Sequence, residues 1–145
     1  MLRRFFLAAL IAGVVFALLP APAQADDLKA VEGTWKVQSG EAGGKPIDAE
    51  DLKGLVVKIA GDHYTATTKE GTEAGTVKVD ETQNPRTMDA TKTEGFEAGK
   101  VIKAVYKLAG DTLTVCYAFD FGDRPTELAS KEGTAWVLIV YQREK

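Results

Sequence analysis

Two segments of the chain share one pattern. The stretches "LVVKIAGDHYTAT" and "YKLAGDTLTVCYA" each place Ala-Gly-Asp between runs in which apolar and polar residues alternate. Alternation at every second residue is typical of a β-strand with one buried face. Glycine adopts a positive φ without a steric penalty, so Gly61-Asp62 and Gly110-Asp111 suit two-residue hairpin turns. The sequence therefore predicts two antiparallel hairpins.

These turns also predict which residues face each other. A slip of one residue would turn each apolar set toward solvent, so the pattern favours one pairing over its immediate neighbours. A slip of two residues would keep the faces, which leaves the loop position open. The predicted pairs are Ile59 with Tyr64 and Val57 with Ala66 in the first hairpin, and Leu108 with Leu113, Tyr106 with Val115 and Ala104 with Tyr117 in the second.

The rest of the polar part of the chain also reads as short strands separated by turn residues. Such a series is typical of an all-β fold, either a sandwich or an up-and-down barrel. Eight strands in about 120 residues fit a closed barrel, so the predicted fold is an eight-stranded antiparallel up-and-down barrel. At most one short helix is expected, at Asp48 to Lys53, with Asp48 as its N-cap. The eight strands are predicted near residues 34–39, 55–60, 63–69, 74–79, 86–91, 101–108, 112–119 and 134–142.

The first residues form a separate unit. Arg3 and Arg4 precede an uncharged apolar run from Phe5 to Leu19, and Ala23-Gln24-Ala25 follows as a small-residue cleavage site. This order predicts a secretory signal peptide over residues 1–25 and one exported domain over residues 26–145, in the periplasm or outside the cell. The apolar run is shorter than the roughly 20 residues of a membrane span. A retained N-terminal anchor is the alternative.

Charge and residue counts exclude several kinds of partner. The net charge of −3 becomes −5 when Arg3 and Arg4 leave with the signal peptide, which disfavours nucleic acid and anionic membrane surfaces as partners. Cys116 is the single cysteine and His63 the single histidine. The sequence thus predicts no internal disulfide, no metal site and no cofactor.

The segment "VEGTWKVQ" carries a resemblance to a known family of β-barrels. Gly33-x-Trp35 on the first strand, together with a late arginine, resembles the lipocalin and wider calycin pattern. The resemblance implies that Trp35 closes one end of the barrel and that Arg143 packs across its indole. A guanidinium over an indole makes a favourable cation–π contact. Gly33, Trp35 and Arg143 are therefore the predicted barrel plug.

A longer ordered set of segments is similar to an uncharacterised lipocalin-like family that is abundant in planctomycete proteins. The segments are "LKAVEGTWKVQSGEAGGKPI", "DETQNPRTMD", "YKLAGDTLTVCYA" and "DRPTEL". This resemblance implies that residues 26–145 form a lipocalin-like barrel. It implies no activity, because the family has no established one.

Four side chains are candidates for ligand contact. Tyr64, Tyr106 and Tyr117 fall on the predicted inner faces, where a phenol offers an aromatic body and one polar group. Arg124 lies in the loop before the last strand, where it faces an anion at the barrel mouth or forms an ion pair with Asp120 or Asp123. The alternative for the tyrosines is a solid core.

Three functions follow from these observations. The first is non-enzymatic binding of a small apolar or amphipathic ligand, which requires an interior cavity of roughly 300 Å³ or more. The second is a filled barrel that serves as a protein-interaction or cell-envelope structural module, with an outer apolar patch that includes Val105, Trp136 and Val140. A hydrolase ranks last, because no nucleophile is placed beside His63 in a triad pattern.

Overall fold

The structure is a computed structural model that describes residues 24–95 and 97–145. The predicted signal peptide lies almost wholly outside these residues. The elements in chain order are α1 (Gln24–Ala30), β1 (Gly33–Ala42), β2 (Lys45–Pro46), α2 (Ala49–Leu52), β3 (Val56–Ala60), β4 (His63–Thr68), β5 (Gly71–Asp80), β6 (Arg86–Glu94), β7 (Val101–Ala109), β8 (Thr112–Ala118) and β9 (Trp136–Arg143).

The strands form a closed barrel. From β3 to β9 each strand pairs antiparallel with the next, and β1 closes the sheet by pairing with both β3 and β9. The two-residue β2 only extends the edge of β1. The predicted eight-stranded antiparallel up-and-down barrel is confirmed. The residues described include two short helices, one more than expected, because α1 packs beside β5 at the end of the barrel.

Both predicted hairpins have the predicted register. In the first, Ile59 faces Tyr64 and Val57 faces Ala66. The second pairs Leu108 with Leu113, Tyr106 with Val115 and Ala104 with Tyr117. The glycines that open the turns have φ values of 61° at Gly61 and 60° at Gly110. The two-residue slip that the sequence left open does not occur.

The helix α2 lies where a helical turn was expected. Asp48 occupies its N-cap position, but its side chain makes no capping hydrogen bond. Its carbonyl oxygen instead accepts a hydrogen bond from the backbone N–H of Asp51 at 3.0 Å. Within residues 24–95 and 97–145, neither helix has the length and apolar character needed to cross a membrane.

One end of the barrel, here called the floor, is closed around Trp35. The indole is fully buried and donates a hydrogen bond from Nε1 to the carbonyl of Val31 at 2.8 Å. The guanidinium carbon of Arg143 lies 4.4 Å from the indole ring centroid. Gly33 has φ 132°, and a Cβ there would lie 3.2 Å from Nη1 of Arg143, so a side chain would crowd the guanidinium.

The outer face of β7 and β8 is covered by the chain between β8 and β9, residues 119–135. Val105 and Cys116 lie on this outer face, yet they are 2% and 0% exposed. Sγ of Cys116 lies 3.6 Å from the carbonyl oxygen of Ala129, and Pro125 is fully buried. This covering segment therefore buries apolar residues on the outer face of the two strands as well as on the inner face.

Candidate functional site

The barrel interior contains an apolar cavity of about 100 Å³. Trp35 lies at its base, and Phe119, which is 44% exposed, lies at the opposite end, here called the mouth. Small-molecule pockets usually measure about 300–1,000 Å³. The cavity therefore does not reach the volume that the sequence-based hypothesis required for a ligand of ordinary size.

Two of the predicted ligand-contact tyrosines line this cavity, and a third tyrosine joins them. Tyr64 and Tyr117 are in the lining, together with Tyr141 from β9. The hydroxyl oxygens of Tyr117 and Tyr141 are 2.9 Å apart and form a hydrogen bond. Burial raises the pKa of Tyr141 to about 12 and raises the pKa of Tyr117 as well. Both phenols are therefore neutral at physiological pH.

Tyr64 differs from this pair. Its hydroxyl is buried and has no hydrogen-bond partner among the residues described. Burial, and then the charge of Glu73, raise the pKa of the Tyr64 phenol. The ring packs directly over Gly75, where a Cβ atom would lie 2.6 Å from Cε1 of Tyr64 and would also collide with the carbonyl of Thr91. Gly75 thus allows the ring to lie flat against the barrel wall.

A charged pair lies at the same level of the barrel. Gly75 faces Tyr64 on one side and Lys92 on the other. The Lys92 side chain is only 7% exposed, and its Nζ lies 3.1 Å from Oε1 of Glu73. Glu73 lines the cavity, yet its side chain is 43% exposed. Its carboxylate is therefore partly solvated, and Lys92 neutralises it.

Three residues of this site were not predicted from the sequence: Glu73, Lys92 and Tyr141. The predicted strands ended at residue 91 and began at residue 74, which left both charged residues in turns. The inward alternation of Met88 and Ala90 continues to Lys92 and was the available signal. Tyr141 could not be assigned to the inner face, because β9 is apolar at consecutive positions and no alternation distinguishes its two faces.

Tyr106 points inward but lies at the floor, away from the cavity lining. Its hydroxyl donates a hydrogen bond to the carboxylate of Asp27 in α1. Nη1 of Arg86 lies 2.8 Å from the same carboxylate oxygen. Burial, followed by the hydrogen bond to Asp27, raises the pKa of Tyr106. In this arrangement Tyr106 holds α1 against the barrel.

Arg124 also lies outside the cavity lining. Its guanidinium donates hydrogen bonds to the carbonyls of Met88 at 3.2 Å and Ala104 at 2.8 Å, and it lies 2.6 Å from Oδ1 of Asp89. These partners belong to β6 and β7. Arg124 therefore fastens the segment of residues 119–135 to the barrel, through Asp89 rather than the neighbouring aspartates considered from the sequence.

The single histidine and the single cysteine are remote from the cavity. His63 is exposed, and its Nδ1 lies 2.7 Å from Oδ1 of Asp62. Burial raises the pKa of the Cys116 thiol, which disfavours the reactive thiolate. The residues described contain no group of three or more His, Cys, Asp or Glu side chains that could hold a metal ion.

A second concavity opens between β1 and α2 beside the interior cavity, with which it shares Leu55. It is a cleft of about 660 Å³, with Val37, Ile47 and Leu52 in its wall and Lys36 and Glu50 also in its lining. The one buried side-chain polar atom without a partner in the described part of the chain is in the barrel interior, at Tyr64. The interior is therefore the candidate site.

The fold and the cavity together define a class: closed antiparallel β-barrels with a small apolar interior. No protein-family model matches the chain, and no curated protein matches it. Among solved structures the chain is similar to a DUF4847 family protein from Bacteroides vulgatus, with 16% sequence identity and a TM-score of 0.49. The match covers 79% of this chain and 94% of that one. A similarity at this level assigns no function.

Proposed function

We propose that the protein is an exported, non-enzymatic, lipocalin-like barrel that binds a small apolar or amphipathic ligand through one apolar group in its interior, because a whole ligand of ordinary size exceeds the cavity. The observation that supports this proposal is the apolar cavity, which runs from Trp35 to the exposed Phe119 and has the unpartnered hydroxyl of Tyr64 in its wall. A solid core would leave neither a void nor a buried polar group without a partner.

The volume limits what enters. An apolar cavity of about 150 Å³ in another protein admits benzene. A cavity of about 100 Å³ therefore takes an apolar group of about four non-hydrogen atoms. An amphipathic ligand would bury such a group below Phe119 and keep its remaining atoms outside.

The size of the buried group also sets the expected affinity. Each buried methylene contributes about 0.8 kcal/mol, so a group of about four carbon atoms contributes about 3 kcal/mol. This corresponds to a Kd of about 5 mM for the buried group alone. Contacts at the mouth would have to supply any tighter binding.

A filled barrel that acts as a protein-interaction or envelope module is the second candidate. The observation that favours it is the cavity volume, which is a third of the roughly 300 Å³ of an ordinary ligand pocket. Its predicted docking face is weakened, however, because Val105 is 2% exposed beside residues 119–135, and Trp136 and Val140 are half-buried. This leaves interior binding as the better-supported function.

Xenon is the probe that tests interior binding most directly, because it is apolar and enters cavities of this kind. We expect saturable shifts of the Ile59, Val77 and Leu113 methyl resonances under xenon pressure. The substitution Ala90→Leu should abolish the shifts, because Ala90 lines the cavity. The matched control is Ala109→Leu, which adds the same atoms at an exposed position.

Unshifted methyl resonances in the wild-type protein, or shifts that survive Ala90→Leu, would count against an accessible interior. Native mass spectrometry of the protein purified from its own host then asks what occupies the site. A co-purifying small molecule supports the binding function, whereas a stoichiometric protein supports the interaction module.

A further inference from the structure

The hydroxyl of Tyr64 is unusual in this barrel. Buried polar groups nearly always have a hydrogen-bond partner, and the other cavity-lining phenols, Tyr117 and Tyr141, satisfy each other. Tyr64 is 7% exposed, lines the cavity, and has no partner among the residues described. A ligand that carries a hydrogen-bonding atom would supply what the protein does not.

The hydroxyl of Tyr64 has a proton to donate. Burial, and then the charge of Glu73, raise the pKa of Tyr64, so the phenol keeps this proton across the physiological range. A neutral phenol both donates and accepts, and an oxygen acceptor on the ligand would bind its O–H group, which has no partner among the residues described. An ordinary hydrocarbon would fill the cavity but leave this donor unsatisfied.

The lining of the cavity disfavours anions. It is apolar apart from its tyrosine hydroxyls and Glu73, and Glu73 is already paired with Lys92 at 3.1 Å. A carboxylate ligand would lose its hydration in this cavity without gaining a cation, which costs far more than burying an uncharged oxygen. An uncharged acceptor, such as a carbonyl or ether oxygen, avoids this cost.

We propose that Tyr64 makes the cavity selective for uncharged ligands that carry an oxygen acceptor next to a small apolar group. This inference rests on the proposed interior-binding function and names the chemical class of its ligand. Tyr64 is the residue that determines specificity, and the apolar lining excludes acids of the same size.

The test compares two probes of the same shape by NMR titration of the cavity methyl groups. Butan-2-one carries the acceptor, and 2-methylbut-1-ene replaces its carbonyl oxygen with a methylene. We expect Tyr64→Phe to weaken butan-2-one binding about three- to tenfold, the usual worth of one hydrogen bond. The alkene should change by less than about twofold, because its binding is apolar only.

Two controls complete the experiment. Tyr106→Phe removes a phenol hydroxyl that lies away from the cavity and should leave the ratio of the two affinities unchanged. Propanoate, which has the same number of non-hydrogen atoms as butan-2-one, should bind the wild-type protein more weakly than the ketone, and this comparison needs no variant. Thermal unfolding of each variant verifies that it is folded.

The outcomes separate the two proposals. If the alkene binds but Tyr64→Phe changes both probes equally or neither, Tyr64 selects nothing, and interior binding still stands. If propanoate binds as tightly as the ketone or more tightly, the assignment to uncharged ligands is overturned. If neither probe nor xenon binds the wild-type protein, the binding function itself fails and the specificity falls with it.

Discussion

Removing the hydroxyl of Tyr64 should stabilise the protein, whereas removing the hydroxyl of Tyr117 should destabilise it. Tyr64 and Tyr117 both line the cavity. In both, replacement by phenylalanine removes the hydroxyl and keeps the shape of the ring. They differ in one respect: the hydroxyl of Tyr117 is bonded to Tyr141 at 2.9 Å, whereas that of Tyr64 has no partner among the residues described. Tyr64→Phe and Tyr117→Phe therefore form a matched pair.

The magnitudes follow from these contacts. Tyr64→Phe removes a buried unsatisfied group that costs about 1–3 kcal/mol. The void left by one oxygen atom costs roughly 0.3 kcal/mol in return. We expect the free energy of unfolding to rise by about 1–2 kcal/mol. Tyr117→Phe instead leaves the Tyr141 hydroxyl without its partner and should lower the free energy of unfolding by about 1–2 kcal/mol.

Urea unfolding in the absence of any ligand measures both values. If the dependence of the unfolding free energy on urea concentration is the same in both variants, a shift of the midpoint reports stability alone. The two variants should differ by about 2–4 kcal/mol. A loss of more than about 1 kcal/mol in Tyr64→Phe would show that its hydroxyl is bonded after all. That result would refute the reasoning on which the ligand specificity depends.

Three further predictions concern the barrel itself. Trp35→Ala should lower the free energy of unfolding by about 3–5 kcal/mol, because the indole is fully buried; wild-type stability in urea would contradict its role as the plug. Gly75→Ala should cost about 1–3 kcal/mol, because its Cβ would collide with the Tyr64 ring and the Thr91 carbonyl, while the exposed change Gly61→Asn at φ 61° should cost less. Stability should fall as pH rises from about 10 to about 12, because the unfolded phenol of Tyr141 ionises near 10 and the folded one near 12. The loss is about 3 kcal/mol for this residue, and unfolding at several pH values should show a shallower fall in Tyr141→Phe; a stability that rises over this range would contradict the burial.

Residue alternation predicted which side chains point inward, but it did not predict how deep they lie. Tyr106 and Tyr117 occupy the same face of one hairpin, and the two-residue period of a strand does not distinguish between them. Their positions along the strands separate them. Tyr106 is at the floor, where α1 brings Asp27 to its hydroxyl, and Tyr117 lies beside the cavity. The docking of α1 is a tertiary contact with no local sequence pattern.

The covering segment and the cavity volume were unpredictable for a related reason. Two outward-facing residues of β8, Cys116 and Ala118, are apolar, which indicates that something covers part of its outside, but nothing in residues 119–135 states where they pack. Arg124 fixes them through carbonyls of β6 and β7, which every residue possesses. A cavity is the small difference between the space inside the backbone and the volume of the side chains. The sequence alone supplies only the second quantity.

The two ends of the barrel use polar groups differently, and this difference supports the assignment of the interior as the site. At the floor, Arg143 bonds to backbone carbonyls and to Asp111, and Asp27 is shared by Arg86 and Tyr106. These bonds satisfy buried polar groups with partners from the chain itself, as stability requires. Beside the cavity, Tyr64 keeps a donor without such a partner. Stability alone would favour phenylalanine at this position, so the hydroxyl marks the place in the interior where a ligand or a water molecule can supply a hydrogen bond that the described residues do not.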